Sequence, residues 1–206
     1  MTPDLLSNLP SRIHMILEEG AKEGASRIAF TDEDGAEWSY RRLIDTVADV
    51  AGKMAELGVR PGDRVMVVCE NSIAAIVLMY AASRLDAWSV MTSARLSSRE
   101  IDLIKEDSSP RCVFYTHTIS SEADAHARRH GATLEVFDEI GRVKVGSLDA
   151  GTMAESVESD PAKQVATLIY TTGTTGRPKG VMLSHRNLAF VACRGKLTKT
   201  ILADDV

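Results

Sequence analysis

Cysteine is scarce in this chain of 206 residues, which carries only Cys69, Cys112 and Cys193. The three are odd in number and far apart, and most of them lie in apolar runs. The sequence therefore indicates neither a disulfide framework nor a metal site built from thiols. We interpret the cysteines as buried free thiols of a protein in a reducing compartment.

Long apolar runs are also missing, because no stretch reaches the roughly 18 apolar residues of a membrane-spanning helix. The first residues, Met1–Leu6, lack the basic start and the apolar core of a secretory signal. We therefore predict that the chain has no membrane span and that its location is cytoplasmic.

Positive charge is not in excess, since 24 lysines and arginines face 29 acidic residues and leave a formal net charge of −5. Proteins that bind nucleic acid through its phosphates need a basic face, so we expect no nucleic-acid partner. The local basic cluster at residues 126–130 is interpreted as a solvated helix end. A hydrophobic fraction of 44% fits a soluble globular chain with one sizeable core or two small ones.

Short strands and helices alternate along the first two thirds of the sequence. An Asp-Gly turn within residues 32–35 predicts a β-hairpin, and Ser39 can cap the amphipathic helix that follows. The apolar run Val65–Cys69 is typical of a parallel strand that is covered on both faces. A capping box at Ser97 and Glu100 predicts the start of a later helix. Further strands are predicted at 88–91, 111–115 and 133–137, with helices at 73–84, 97–104 and 121–130.

This alternation predicts right-handed βαβ units and an α/β fold class. The expected architecture is a mostly parallel, doubly wound sheet with helices on both faces and a small β-hairpin near the N-terminus. Residues 28–137 would form the sheet region. Residues 138–164 turn polar and glycine-containing, which predicts a surface linker. Residues 165–206 are predicted to form a strand, a loop, a second strand and a helix.

The loop between Thr171 and Lys179 is rich in threonine and glycine. Glycines allow backbone N–H groups to approach an anion, threonine hydroxyls add hydrogen-bond donors, and a lysine adds a charge-assisted contact. The composition therefore predicts a loop that holds phosphate.

This loop differs from a Walker loop, which places a glycine directly before its lysine and a hydroxyl residue directly after it. Pro178 and Gly180 occupy those two positions here. A Walker loop also opens into a helix, whereas residues 165–170 and 181–183 have the character of strands. We therefore predict a long turn between strands, longer than the about two to five residues that a hairpin connection needs.

The segment YTTGTTGRPKGV at residues 170–181, followed by Ser184–Leu188, resembles the signature of the adenylate-forming superfamily. That superfamily includes acyl-CoA synthetases, aryl-CoA ligases, luciferases and the adenylation domains of peptide synthetases. Weaker similarity at residues 38–40, 58–65 and 70–72 extends the resemblance over about the whole sequence. The residues after the signature favour acyl- or aryl-CoA ligases over peptide-synthetase domains.

The resemblance implies a reaction in which a carboxylate attacks the α-phosphate of ATP to give an acyl-adenylate and pyrophosphate. The acyl group then passes to a thiol such as coenzyme A. The implied cofactors are ATP, Mg²⁺ and coenzyme A, and the implied partners are a small-molecule nucleotide and a carboxylic acid. Thr175 is expected to help position magnesium. The residues expected to hold the β- and γ-phosphates are Thr171, Thr172, Gly173, Thr174, Thr175, Gly176 and Lys179.

The sequence does not contain several elements that members of the superfamily carry beyond the signature. These are a Tyr-Gly-x-Thr-Glu segment near adenine, a Thr-Gly-Asp segment that binds ribose, and a C-terminal domain with the catalytic lysine. Lys179 is not that lysine, so we assign no catalytic residue to this chain. We expect the N-terminal part of a ligase, inactive alone. Asp86 also departs from the superfamily, which commonly has glycine at this helix end, where a left-handed turn disfavours other residues.

Three functions are compatible with these residues. The first is a carboxylate-activating ligase represented by its N-terminal part. The second is a stand-alone ATP-binding or regulatory module that binds nucleotide without forming an adenylate. The third is a structural fragment that binds no ligand and associates with itself or with another chain through an exposed apolar face.

Two predictions concern polar residues near the loop or on a helix surface. Ser184 is a good N-cap, which places His185 in the first turn of a helix and gives it a structural role. Asp102, Glu106 and Asp107 are interpreted as a solvated helix face.

Overall fold

The computed structural model describes residues 9–32, 34–171 and 177–198. The helices are α1 (Met15–Lys22), α2 (Tyr40–Glu56), α3 (Ile73–Arg84), α4 (Ser98–Ser108), α5 (Ser121–Arg129) and α6 (His185–Thr198). The strands are β1 (Ile28–Thr31), β2 (Glu37–Ser39), β3 (Arg64–Cys69), β4 (Trp88–Ser93), β5 (Cys112–Tyr115), β6 (Leu134–Val136), β7 (Val143–Val145), β8 (Val165–Thr171) and β9 (Lys179–Ser184). None of the described helices is both long enough and apolar enough to span a bilayer.

In the part of the chain that is described, seven strands form the main sheet in the order β6-β7-β5-β3-β4-β8-β9. The four central strands, β5, β3, β4 and β8, run parallel, as expected for βαβ units. Antiparallel pairs extend both ends, with β6 and β7 beside β5 and with β9 beside β8. The predicted α/β class is confirmed, and the sheet is mixed around a parallel centre. The predicted N-terminal hairpin is the antiparallel pair of β1 and β2.

The central strand β3 is buried on both faces because helices cover the sheet from each side. Val65 and Val67 contribute to one core with α2 and α3, whereas Met66 and Val68 contribute to the other with α4 and α5. All four side chains are fully buried. Successive side chains of a strand point to opposite faces, so an apolar run without alternation predicts this double cover. The prediction of helices on both faces is confirmed.

The predicted helix caps are present at α2 and α4. The Oγ of Ser39 accepts a hydrogen bond from the backbone N–H of Arg42 at 3.2 Å. The Oγ of Ser97 accepts from the N–H of Glu100 at 3.3 Å, and the Glu100 carboxylate accepts from the N–H of Ser97 at 2.8 Å. These bonds satisfy N–H groups that a first helical turn leaves without partners.

The predicted surface linker at 138–164 contains a strand of the sheet. Residues 143–145 form β7, which inserts between β6 and β5 and buries the side chains of Val143 and Val145. The linker prediction is therefore wrong for these residues. Three residues are too few for a period to identify a strand, and the partners that bury β7 come from other parts of the sequence.

The corner before β3 is built around a buried carboxylate. Asp63 is fully buried, and its Oδ2 accepts from the backbone N–H of Arg60 at 2.8 Å and from Arg60 Nε at 3.1 Å. Arg60 Nη2 donates to Asp63 Oδ1 at 2.8 Å, and Arg111 Nε lies 3.8 Å from Oδ2. Hydrogen bonds from charged groups offset the cost of burying this carboxylate.

Residues 152–155 pack against the same corner. Arg60 Nη2 donates to the carbonyl of Thr152 at 2.9 Å, and the N–H of Glu155 donates to the carbonyl of Gly62 at 2.9 Å. Gly62 has a φ of +80°, and a Cβ at this position would lie 1.9 Å from the carbonyl oxygen of Glu155. Only glycine combines this backbone conformation with this contact.

Asp86 adopts the left-handed conformation expected at the end of α3, with a φ of 54°. Arg12 Nε donates to Asp86 Oδ1 at 2.6 Å, and Arg12 Nη2 donates to the carbonyl of Glu158 at 2.8 Å. An ion pair thus accompanies the residue that stands in place of glycine. The same arginine connects the segment before α1 to two distant parts of the chain.

The cysteines are free thiols, as predicted, although they differ in exposure. Cys69 and Cys112 are buried, and burial raises their pKa values to about 11 and about 12, respectively. Both thiols are therefore protonated and unreactive near neutral pH. Cys193 on α6 is partly exposed.

Candidate functional site

The predicted phosphate loop is carried by the hairpin of β8 and β9. Thr171 and Lys179 are cross-strand partners at the end of the ladder, and both are exposed. Directly opposite residues of an antiparallel pair lie on the same face. The described part of the hairpin therefore places a hydroxyl and a lysine side by side at the mouth of the loop. The other residues predicted to hold phosphate lie outside the described ranges; they are Thr172, Gly173, Thr174, Thr175 and Gly176.

The hairpin projects from the edge of the sheet at which the parallel strands end. β8 pairs in parallel with β4, with Met91 opposite Ile169. Residues 165–168 are buried, whereas Ile169 and Thr171 are exposed as the strand leaves the sheet. In open α/β sheets, ligands bind outside the carboxyl ends of the strands. The mouth of the hairpin thus lies at the edge where a ligand is expected.

The face of the hairpin that carries Tyr170, here called its rear, contacts α4. The hydroxyl of Tyr170 donates to Oδ2 of Asp107 at 2.6 Å. The ring of Tyr170 covers its cross-strand partner Gly180, where a Cβ would lie 3.0 Å from Cζ of the tyrosine. Burial and the Asp107 carboxylate raise the pKa of Tyr170, so its hydroxyl stays protonated as a donor. Asp107 is exposed, as predicted for a solvated helix face, and it also accepts this hydrogen bond from a residue 63 positions away in the sequence.

A second polar cluster connects β5, α5 and α4. The hydroxyl of Tyr115 donates to Nδ1 of His130 at 2.5 Å, and Nε2 of His130 donates to Oδ1 of Asp102 at 2.9 Å. Two N–H groups of Arg129 donate to Asp102 at 2.7 and 2.8 Å and hold the pKa of that carboxyl at about 2. Each group satisfies another, which indicates a structural network. Asp102 and the arginines at 128–129 are exposed, as predicted. The prediction of a solvated helix end is wrong for the histidines at 126 and 130, whose side chains are largely buried.

His185 begins α6, as predicted, and it is fully buried. The Oγ of Ser184 accepts from the N–H of Asn187 at 3.2 Å, which confirms the predicted cap. Nδ1 of His185 accepts the N–H of Ile13 at 3.2 Å, so the neutral ring carries its proton on Nε2. Burial lowers the pKa of His185 to about 4. The residue is a neutral structural link between α6 and the segment before α1.

A metal site cannot be assembled from the described residues alone. Within residues 9–32, 34–171 and 177–198, no group of three or more His, Cys, Asp or Glu side chains is arranged to hold an ion. Thr175, predicted to help position magnesium, is outside those ranges. The carboxylate of Asp107 at the rear of the hairpin already accepts from Tyr170.

Reasoning from the sequence missed Tyr170, Gly180 and Asp107 as parts of this site. Tyr170 and Gly180 belong to the segment that carries the resemblance, so an aromatic residue and a glycine flanking the loop provided a usable signal. Asp107 carried no signal, because an acidic residue on an amphipathic helix is ordinarily solvated.

Apolar side chains are exposed on the hairpin and on α6. Ile169, Val181, Met182 and Val191 are 42%, 46%, 62% and 67% exposed, respectively. Single exposed apolar residues are common, whereas a contiguous group marks a contact surface. Association through exposed apolar surface stays a prediction.

Comparison with known proteins identifies related enzymes. The family model for the AMP-binding enzyme matches residues 17–206. Feruloyl-CoA synthase of an Amycolatopsis species is 34% identical over 173 residues, which cover 83% of this chain and 33% of that protein. Long-chain-fatty-acid–CoA ligase FadD13 of Mycobacterium tuberculosis is 32% identical over 155 residues, which cover 71% of this chain and 29% of the ligase. The chain thus spans about a third of the length of these relatives.

A similar fold is found in the crystal structure of ATP-bound MatB from Rhodopseudomonas palustris. The TM-score is 0.67 and the sequences are 28% identical. The alignment covers 90% of this chain and 37% of that protein. The sequence comparison and the fold comparison therefore both align this chain with about a third of a longer protein.

Proposed function

The chain belongs to the AMP-binding enzyme family, and we propose that it supplies the part of such an enzyme that holds the phosphates of ATP. The observation that carries this proposal is the pairing of Thr171 with Lys179 at the carboxyl-end edge of the sheet. The pairing sets a hydroxyl donor and a positive charge on one side of the hairpin mouth. In the proposal, residues 172–176 complete the loop around the β- and γ-phosphates.

The complete enzyme is proposed to be a carboxylate–CoA ligase of the cytoplasm. First, a carboxylate oxygen bonds to the α-phosphorus of ATP, the bond from that phosphorus to the bridging oxygen breaks, and pyrophosphate leaves. Second, the sulfur of coenzyme A bonds to the acyl carbon, AMP leaves, and the thiol proton is released. The relatives named as a CoA synthase and a CoA ligase support this class of product.

The chain's own residues would act by positioning and by neutralising charge. The ammonium group of Lys179 would offset the charge of the leaving pyrophosphate, and the hydroxyl of Thr171 would donate to a phosphate oxygen. Magnesium, when bound with ATP, would supply further positive charge, but the described residues do not fit a magnesium site on their own. Buried, neutral His185 takes no part in the proposed chemistry.

Calorimetric titration of the chain with ATP and MgCl₂ tests this proposal. We expect saturable binding by the wild-type chain, because Lys179 and Thr171 are exposed at the mouth of the hairpin. Lys179→Ala is expected to weaken the affinity about tenfold, since a charge-assisted contact contributes roughly 1.5 kcal/mol. Inorganic tripolyphosphate should compete with ATP, and adenosine should not.

Lys163→Ala is the matched control for the loss of one positive charge. Lys163 is also exposed, but it precedes β8 and so lies at the opposite end of that strand from Thr171. Its replacement should leave the affinity unchanged. Equal weakening by both variants, or no binding by the wild-type chain, would contradict the proposal. Binding without ATP–pyrophosphate exchange is expected if the chain alone forms no adenylate.

A further inference from the structure

We propose that Asp107 and Tyr170 are positioning residues that hold the hairpin of β8 and β9 in its phosphate-binding geometry. This inference rests on the proposed function, because its principal readout is the affinity for ATP. It gives α4 a role in the site, although no residue of that helix belongs to the loop.

The contact between α4 and the hairpin is a short hydrogen bond to a charged acceptor. The hydroxyl of Tyr170 lies 2.6 Å from Oδ2 of Asp107, and Asp107 belongs to the last turn of α4. Bonds to ionised groups are stronger than bonds between neutral groups. Tyr170 directly precedes Thr171, so this bond anchors the chain one residue before the mouth of the loop.

The anchor lies on the face of the hairpin opposite the proposed phosphate contacts. Tyr170 and Leu168 pack with the core formed by α4 and α5. Side chains alternate along a strand, so Thr171 and its partner Lys179 point to the other face. The bond to Asp107 can therefore hold the hairpin through the face that carries Tyr170, and it does not occupy the opposite face, which carries Lys179.

Gly180 extends the anchor to the second limb of the hairpin. It pairs with Tyr170, and a Cβ on Gly180 would lie 3.0 Å from Cζ and 3.2 Å from the hydroxyl oxygen of the ring. Because Gly180 has no side chain, the ring of Tyr170 can lie this close to the backbone next to Lys179. α4 also borders this limb across a cleft of about 260 Å³, which is lined by Leu103, Glu106, Asp107, Arg177 and Pro178.

Electrostatics and positioning predict opposite effects for the loss of Asp107. A carboxylate near the site repels the phosphates of ATP, so removing it would strengthen binding if charge alone mattered. If Asp107 acts by holding Tyr170, its removal weakens binding. The sign of the change thus separates the two roles.

Titration with ATP and MgCl₂ should therefore show weaker binding for Asp107→Ala and for Tyr170→Phe, each by about fivefold. Asp107→Asn keeps an oxygen that can accept from the tyrosine hydroxyl, so it should restore the affinity to within about twofold of wild type. The double variant Asp107→Ala/Tyr170→Phe should be no weaker than either single variant, because both remove the same bond.

Glu106→Ala is the matched control. Glu106 precedes Asp107 on α4, is exposed, and carries the same charge, but the hydroxyl of Tyr170 is bonded to Asp107. Its removal should leave the affinity for ATP unchanged or slightly higher. Equal weakening by Glu106→Ala and Asp107→Ala would overturn the inference, and so would additive losses in the double variant.

Amide hydrogen exchange of the ligand-free chain provides a readout that does not depend on ATP. Tyr170→Phe should reduce the protection of the β9 amides, and Glu106→Ala should not. Unchanged protection in Tyr170→Phe overturns the inference whatever the titration gives. If wild type and Asp107→Ala bind ATP equally well while Lys179→Ala binds weakly, the inference fails and the proposed function stands. If the wild-type chain binds no ATP, the proposed function fails, and with it the role of this pair in ATP binding.

Discussion

Replacing Gly62 with alanine is expected to lower the free energy of unfolding by roughly 3 kcal/mol, a large part of the about 5 to 15 kcal/mol of a typical domain. The φ of Gly62 is +80°, and the new Cβ would lie 1.9 Å from the carbonyl oxygen of Glu155. The backbone conformation alone costs a side chain about 1–2 kcal/mol. Relief of the clash requires residues 152–155 to move, which breaks the bond from the N–H of Glu155 to Gly62. Equilibrium urea unfolding measures the loss.

Gly131→Ala is the matched control for this variant. Gly131 also has a positive φ, +67°, but a Cβ there meets no atom within 4 Å. It should therefore show only the conformational cost, about 1 kcal/mol. If the two variants lose equal stability, residues 152–155 are not packed against Gly62 in solution.

Lowering the pH from 6.5 to 5 is expected to reduce the free energy of unfolding by about 1.6 kcal/mol through His185 alone. Burial lowers the pKa of His185 from 6.5 to about 4 in the folded chain. Well above pH 6.5 the ring is neutral in both states, and its contribution is fully present. Between pH 6.5 and 4 the unfolded chain binds a proton that the folded chain does not, so stability falls with pH.

The surroundings of His185 explain why the folded chain resists protonation. A proton on Nδ1 would face the N–H of Ile13, and the bond between them would be lost. Besides burial, the positive charges of Arg12 and His14 lower the pKa of His185, while Asp86 partly opposes them. His14 and His130 also have pKa values lowered mainly by burial and act in the same direction. The carboxyl of Asp102, with a pKa of about 2, titrates below this window.

His185→Asn isolates the contribution of this histidine. Asparagine can offer an oxygen to the N–H of Ile13 and does not titrate between pH 5 and 7. Urea unfolding at both pH values should show a smaller difference in stability for the variant than for wild type. A variant with the same pH dependence as wild type would show that His185 is not buried and neutral in the folded chain.

Much of the fold follows from local patterns in the sequence. The apolar run of β3, the serines that cap α2 and α4, and the turn of the N-terminal hairpin each act over a few residues, and all are present. The helices on both faces follow from the same run, because a strand without polar positions must be covered twice. β7 was missed because three residues carry too little period to identify a strand.

The candidate site likewise combines residues that a local segment predicts with contacts that only the folded chain forms. Thr171 and Lys179 are predicted phosphate-binding residues from one continuous segment, and the hairpin register places them opposite each other. Asp107 could not be identified, because its partner Tyr170 is 63 residues away and reaches it only through the packing of β8 beside α4. His185 was identified as a helix start, but its bond to Ile13 crosses 172 residues.

The sequence by itself determined the α/β class, the capped starts of α2, α4 and α6, and the segment that resembles the phosphate-binding signature. These features depend on capping, on alternation and on turn residues, which act between neighbours in the chain. The tertiary structure alone decided the insertion of β7, the packing of residues 152–155 on Gly62, and the contacts of Asp107 and His185. Each of these joins residues far apart in sequence, and burial then fixes which polar groups must pair.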